Sequence, residues 1–448
     1  MNLITKYNVQ TPRYTSYPTV PYWDNTVDIK QWKKNVHTSF IESNKKDGIS
    51  IYIHLPYCES LCTYCACNTR ITVNHTVEAP YIAALIKEWH LYLTVLKDKP
   101  RIKEIHLGGG TPTFFSATHL QELIKTILAS SEVCTDAEFS FEAHPDNTTI
   151  EHLQTLFNLG FKRVSFGIQD FDLKVQKAIH RFQSFEQVKK VVDEAKAIGY
   201  NSINFDLIYG LPFQTEESVI DTINQVNLLH PDRIAFYSYA HVPWIKPGQR
   251  SFTEKDLPLD AEKRKLYETG KQMFLDNGYI EVGMDHFALP QESLSQALRK
   301  GKLHRNFMGY THNYTKLLIG LGVSSISDSW TAFSQNVKTV EEYLDLVNKG
   351  MLPIFKNHFL TTEDLLLRQH ILNIMCNYYT EWDKEQTSAL SDALIKLKNL
   401  EQDGLVQTNN LSVKVTTNGK PFLRNICMCF DKRYWNKVIE TKVFSSSI

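Results

Sequence analysis

The chain has 448 residues, 42% hydrophobic and 22% charged, with 49 Lys and Arg against 49 Asp and Glu. That length suits roughly three domains, or one large α/β barrel with an appendage, and is enough for a core that needs no covalent staple. Zero net charge excludes bulk binding to nucleic acid or anionic membranes, and the composition excludes a disordered or fibrous protein.

Residues 1–19 lack the charged-then-apolar layout of a secretory leader. The longest nearly apolar run, Leu317–Ile326, is too short to span a bilayer. A cytoplasmic location is the resulting expectation.

Residues 1–46 read as an N-terminal arm laid over the body of the protein. From 47 to about 252, short β-rich runs alternate with amphipathic helical stretches. The runs are Ile49–His54, Ile105–Leu107, Phe139–Ala143, Arg163–Gly167, Ser202–Ile208 and Arg233–Tyr239. Helical spacing is seen in His119–Ala129, Glu151–Phe157, Gln187–Ala197 and Val219–Leu228. Thr148-Thr149 provides a start signal, and Gly160 and Gly199 provide stops. Six such repeats predict an α/β fold, an open six-unit (β/α) partial TIM barrel.

After 252 the rhythm changes. Asp260 opens a helix through Phe274 that Gly278 closes, and residues 285–330 show little periodicity. The catalytic domain is expected to span 47–355. Residues 356–448 read as a small, mainly helical winged-helix-like domain, with helices at about 362–377 and 387–402 and a hairpin turning at Asn409-Asn410. Such modules often bind DNA, but the neutral charge favours a lid or packing role.

Of eight cysteines, four cluster as Cys58-x3-Cys62-x2-Cys65-x-Cys67, directly after the first strand. Barrel enzymes place their chemistry at the C-terminal ends of their strands. Three thiolates in a short loop can each bind one iron of a [4Fe–4S] cluster. Zinc is the competitor, but structural zinc favours two ligand pairs separated by a longer loop. Cys134 and Cys376 read as packing residues, and so do Cys427 and Cys429.

Cys-x3-Cys-x2-Cys after a first barrel strand resembles the radical S-adenosylmethionine (SAM) enzymes. The extra Cys67 narrows the resemblance to the oxygen-independent coproporphyrinogen III oxidases (coproporphyrinogen dehydrogenases). It extends over PRYTSYPT (12–19), GGGTPT (108–113), FGIQDF (166–171), DLIYGLP (206–212), YAHVP (239–243), GMDHF (283–287), LHRNF (303–307) and RNICMCFD (424–431). A related haem-chaperone-like family shares the cluster motif but typically lacks the extra cysteine, the arm motif and this ending.

The resemblance implies a radical SAM barrel with Cys58, Cys62 and Cys65 as ligands of a [4Fe–4S] cluster. It puts Tyr52, Gly109, Glu142 and Ile326 around a cluster-bound SAM, and Tyr64, Thr111, Gln169, Arg181, Asp206 and Ala240 around a second SAM. It implies a porphyrinogen substrate, an electron-donor protein of flavodoxin or ferredoxin type, a monomer, and no nucleic-acid partner. The implied reaction converts two propionates of coproporphyrinogen III to vinyl groups, giving protoporphyrinogen IX in haem biosynthesis.

Arg13, Arg305 and Arg424 are candidates for substrate carboxylates, and His54, His241, His286 and His304 for substrate neighbours. Two departures from the family pattern, His144-Pro145-Asp146 and Lys316, are expected near the pocket. The rival readings are a haem-binding chaperone and a zinc- or cluster-bearing binding module.

Overall fold

The computed structural model describes residues 3–436 and Phe444. The six expected strands all form: β1 (Ile49–Leu55), β2 (Arg101–Gly109), β3 (Glu132–Ala143), β4 (Phe161–Gln169), β5 (Ser202–Tyr209) and β6 (Arg233–Ser238). They lie in that order and pair in parallel. Parallel neighbours require crossover connections, which helices supply. These helices include α1 (Glu78–Leu96), α2 (Ala117–Ala129), α3 (Ile150–Asn158), α4 (Phe185–Ile198) and α5 (Glu216–Leu229).

The start signals act as expected. Thr149 accepts from the His152 backbone N–H in a capping box, and Ser184 and Thr215 do the same for α4 and α5. Gly199 ends α4 in the left-handed region at φ 111°.

The sheet is wider than six strands. β7 (Leu318–Leu321) pairs in parallel with the free side of β1, and β8 (Ile326–Asp328) and β9 (Ala332–Asn336) continue antiparallel. β10 (Ile354–Phe359) follows β9 in the strand order. The stretch expected to be irregular therefore carries sheet. Within 285–330 the strands are only three or four residues long, too short to show a period.

Strand alternation explains what the sheet positions. Ile49, Ile51, Ile53 and Leu55 are buried on one face of β1, while Ser50, Tyr52 and His54 alternate with them. The register sets Tyr52 opposite His106, Glu142 opposite Ser165, and Asp206 opposite Gly167. Parallel sheets buried on both faces usually read as unbroken apolar runs. Here one face is lined with hydrogen-bonding groups.

Contacts divide the chain into two compact units, differently from the expected boundaries at 46/47 and 355/356. Among the described residues, one contains 25–279 and 313–358, and the other 3–24, 280–312 and 359–436. The expected arm is thus split. Residues 29–43 form a helix in the first unit, whereas residues up to 24 pack in the second, where Tyr14 and Tyr17 join its core.

In the second unit, α-helices at Thr362–Asn377, Ser391–Gln402 and Leu423–Cys429 surround a three-stranded sheet. Asn409 pairs with Ser412, so the hairpin turns at Asn410-Leu411, one residue later than expected. The second helix starts at 391 rather than 387, because residues 384–386 form a separate 3-10 turn. The RNICMCFD segment holds the arm: Arg424 Nε donates to the Pro12 carbonyl at 3.1 Å, and the Tyr14 hydroxyl bonds Asp431 at 3.1 Å.

Among the described residues, no helix is long and apolar enough to cross a membrane.

Candidate active site

The cysteine loop leaves β1 through a short strand at Tyr57–Cys58, which pairs with Arg70–Ile71. Backbone bonds pin the loop between these ends. Thr63 N–H reaches Ile179 O at 2.9 Å, and Thr63 Oγ1 donates to Ala178 O at 2.9 Å. Lys246 Nζ donates to the Cys67 carbonyl at 3.0 Å. The fully buried Gln249 amide donates to the carbonyls of Tyr64 (3.1 Å) and Ala240 (3.2 Å) and accepts from Val242 N–H (2.6 Å).

These bonds close one side of a cavity of about 260 Å³ at the C-terminal ends of the strands. Its wall brings together Cys58, Cys62, Tyr64, Cys65, Gly109, Thr111, Glu142, Gln169, Arg181 and Asp206. Three expected contacts stand off that wall. Tyr52 lies behind it, its ring stacked on His106 with centroids 6.0 Å apart and its hydroxyl 3.0 Å from His54 Nδ1. Ala240 meets Gln249. Ile326 sits on β8, its carbonyl pressed against Gly320.

The thiols differ in environment. Burial pushes Cys58 up to about 11, although Thr111 Oγ1 donates to its sulfur at 3.3 Å. Burial also raises Cys62, opposed by Arg181, whose Nη1 is 3.7 Å away. A hydrogen bond from the Cys67 thiol draws Cys65 down to about 6, and the Cys67 backbone N–H also points at its sulfur. Cys67 itself is exposed.

Each carboxylate is held by its neighbours. Glu142 accepts from Gly109 N–H at 3.1 Å and lies 3.5 Å from His106 Nε2. Burial raises its pKa, but these partners outweigh it and the net shift is downward. Asp206 accepts from Ser165 Oγ (2.9 Å) and Asn204 Nδ2 (3.0 Å). Burial, then the nearby Glu142 charge, raises it to about 6. Ser165 and Asn204 were not named from the sequence, although both occupy inward alternate positions. Gln249 was also missed, and a lone loop glutamine offers no signal.

The geometry fits the implied cofactors. Among the described residues, no three Cys, His, Asp or Glu side chains converge as a single metal ion demands. The three thiolates of a cubane each bind a different iron, and Cys58, Cys62 and Cys65 all line this cavity. Arg181 Nε is buried without an acceptor while Nη2 donates to the Gly167 carbonyl. A buried unsatisfied donor of this kind suits an anionic ligand group.

The two departures separate. His144 lines the cavity, and burial, reinforced by Arg181, pushes it down to about 2, so it is neutral. Lys316 does not belong there. It precedes β7 at the end opposite the cysteines, and its Nζ pairs with Glu42 at 2.9 Å. Of the other histidines, His54 bonds the Asn68 carbonyl at 2.9 Å and His241 meets the Tyr239 hydroxyl at 3.1 Å. Cys134, Cys376, Cys427 and Cys429 are buried, as packing residues should be.

Residues 52–226 match the Radical SAM superfamily model. An oxygen-independent coproporphyrinogen III oxidase of Helicobacter pylori is 39% identical, with 95% of each chain covered. The enzyme of that name from Escherichia coli is 35% identical over 96% of this chain and 94% of its own. The solved structure of coproporphyrinogen III oxidase from E. coli, a radical SAM enzyme, superposes with a TM-score of 0.89 at 33% identity, covering 95% of this chain and all of that one. The cysteine loop, the polar strand ends and this end-to-end similarity agree: the chain belongs to the oxygen-independent coproporphyrinogen III oxidases of the radical SAM superfamily.

Proposed function

We propose that this protein carries out the oxygen-independent oxidative decarboxylation of two propionate side chains of coproporphyrinogen III, giving protoporphyrinogen IX in haem biosynthesis. The observation that carries the reading is the three-cysteine loop facing a ring of strand-end polar groups, in a chain similar to named coproporphyrinogen III oxidases from end to end.

Cys58, Cys62 and Cys65 would each hold one iron of a [4Fe–4S] cluster. Tyr52, Gly109, Glu142 and Ile326 would surround the SAM bound to it. Tyr64, Thr111, Gln169, Arg181, Asp206 and Ala240 would contact a second SAM. When bound, cluster and SAM supply hydrogen-atom abstraction at the propionate β-carbon, chemistry that belongs to the cofactors.

The chain's own contribution is binding and placement. The Gly109 backbone is turned by Glu142 so that glycine lets a ligand approach closely. Asp206, held from both sides, offers acceptor oxygens to hydroxyl or amino groups. Gln249 and Lys246 fasten the loop through the Tyr64 and Cys67 carbonyls.

Reduction of the cluster calls for a one-electron carrier, for which a flavodoxin or ferredoxin type of protein is suited. A monomer in a reducing cytoplasm is the matching setting for exposed and half-buried free thiols.

The test is an anaerobic assay of iron- and sulfide-reconstituted protein with SAM, a reductant and coproporphyrinogen III. Formation of protoporphyrinogen and 5′-deoxyadenosine, both lost in Cys62→Ala, is the expected result. Deoxyadenosine without a porphyrin product would remove the substrate assignment and direct attention to His144.

A further inference from the structure

Among the described residues lining the strand-end cavity, Arg181 carries the only fixed positive charge, against the carboxylates of Glu59, Glu142 and Asp206. An anionic group entering the cavity is repelled by those three side chains and drawn to one, so it comes to rest at Arg181.

That guanidinium is partly engaged already. It is 9% exposed, its Nη2 donates to the Gly167 carbonyl, and its Nη1 faces the Cys62 sulfur at 3.7 Å. Nε is buried and has no acceptor. One N–H cannot satisfy a carboxylate, which presents two oxygens with about four lone-pair sites. A second donor beside Arg181 would complete the site.

His144 is placed to be that donor. Its backbone is fixed by the turn after β3, where its carbonyl accepts from the Asn147 and Thr148 N–H groups, both at 3.1 Å, and from Thr148 Oγ1 at 2.8 Å. Its ring lines the cavity, and Nδ1 accepts from the Asp146 backbone N–H at 3.2 Å. A backbone N–H can only donate, so Nδ1 carries no proton and the ring proton sits on Nε2. Nε2 bonds no other described residue, and the side chain is half-buried rather than sealed off.

Arg181 lies close enough for its charge to bear on the imidazole and on Asp146 beside it. Gln169 meets Arg181 over Gly167, where an added Cβ would lie 2.8 Å from Gln169 Nε2 and 2.9 Å from Arg181 Nη2. All of these residues belong to one compact unit.

We propose that His144 is a further ligand-binding residue of this site, donating through Nε2–H to the same carboxylate that Arg181 receives. This rests on the functional reading above, whose two carboxylate-bearing ligands are SAM and the porphyrinogen. The group recognised is a carboxylate in either case. Arg181 supplies the charge, and His144 adds a directional bond without a second charge to desolvate.

Two amides separate the two ring nitrogens. In His144→Asn the amide oxygen can replace Nδ1 as acceptor for the Asp146 N–H, but the Nε2 donor is lost. In His144→Gln the amide N–H reaches the Nε2 position, while the turn loses its side-chain acceptor. The full chain, reconstituted with iron and sulfide, is titrated anaerobically with SAM, decarboxylated SAM, coproporphyrin III and the tetramethyl ester of that porphyrin.

The expected result is about 10-fold weaker binding of one carboxylate ligand in His144→Asn, the scale of a hydrogen bond to a charged group. His144→Gln should bind that ligand nearly as wild type does, and the carboxylate-free counterpart should bind all three proteins equally. Loss on SAM identifies its amino-acid carboxylate as the partner, and loss on coproporphyrin identifies a propionate.

Unchanged affinity for both acids in His144→Asn, or an equal loss for the carboxylate-free counterpart, would overturn the assignment. So would a loss in His144→Gln as large as in His144→Asn, which would mark a residue that only shapes the turn. Wild type that forms no protoporphyrinogen refutes the functional reading and leaves the SAM comparison intact. Wild type that forms it, beside a His144→Asn with unchanged affinities, refutes only the role of His144.

Discussion

Gly109 donates its backbone N–H to the Glu142 carboxylate at 3.1 Å, joining the ends of β2 and β3 beside the cysteine loop. Gly109 adopts φ 118°, and a Cβ placed on it would lie 2.7 Å from His54 Cε1. His54 cannot swing away, because Tyr52 and the Asn68 carbonyl hold both ring nitrogens. Gly109→Ala should therefore cost about 1–3 kcal/mol in backbone strain alone and displace the imidazole. Reduced SAM affinity, measured by equilibrium binding, is the expected outcome. Glu142→Gln leaves the strand in place but brings an amide toward the Gly109 N–H, so a milder loss is expected.

The cysteine assignments separate by metal content. Anaerobic reconstitution of Cys58→Ala, Cys62→Ala and Cys65→Ala should leave each variant without a stable cluster, read as iron and sulfide per chain and by visible absorbance. Cys134→Ala, a buried thiol outside the cavity, should reconstitute like wild type. Full iron in any of the three would remove that residue from the ligand set.

Gln249 has no exposed surface and satisfies three backbone groups, on Tyr64, Ala240 and Val242. Gln249→Ala would leave them buried and unpaired, at about 1–3 kcal/mol for each group that water cannot reach. The loop should loosen more than the fold. The expected signature is faster iron loss in air, followed over time, with a smaller fall in melting temperature. Gln249→Glu should be no better, since a carboxylate cannot donate to the two carbonyls. Iron retention equal to wild type in both would sink the idea.

The barrel strands and the cysteine loop were legible in the sequence because each has a local cause. Ile49–Leu55 alternates by two residues, Ser184 and Thr215 cap the helices they precede, and the four cysteines lie within ten residues. Strand β7 was hidden in Leu317–Ile326, because four buried residues are too few to distinguish an interior strand from an apolar turn. Lys316 was misplaced for a related reason. Without β7 running parallel to β1, nothing shows that this residue lies at the end away from the cysteines. Arg424 and Arg305 look alike as motif arginines, and only the folded chain reveals that one grips the arm while the other stacks on the Tyr310 ring with Nε and Nη1 lacking an acceptor. Such distinctions are set by contacts hundreds of residues apart, which no local pattern records.

Glu88 on α1 is fully buried, and its carboxylate accepts from Gly322 N–H (2.8 Å), the Tyr343 hydroxyl (2.7 Å) and Asn336 Nδ2 (2.7 Å). These bonds tie the helix to the turn after β7, the end of β9 and the helix Val340–Asn348. Burial nevertheless dominates and raises its pKa from 4.5 to about 7. A folded-state pKa above the unfolded value means that the folded chain holds the proton more tightly. The associated stability is thus fully present below about pH 4.5 and is lost as pH rises through about 7. The shift corresponds to something on the order of 3 kcal/mol. Glu88→Gln cannot ionise, so thermal unfolding between about pH 5 and pH 8 should show its melting point gaining on wild type as pH increases. A constant difference between the two proteins across that range would show that Glu88 is ionised throughout, with its three donors outweighing burial.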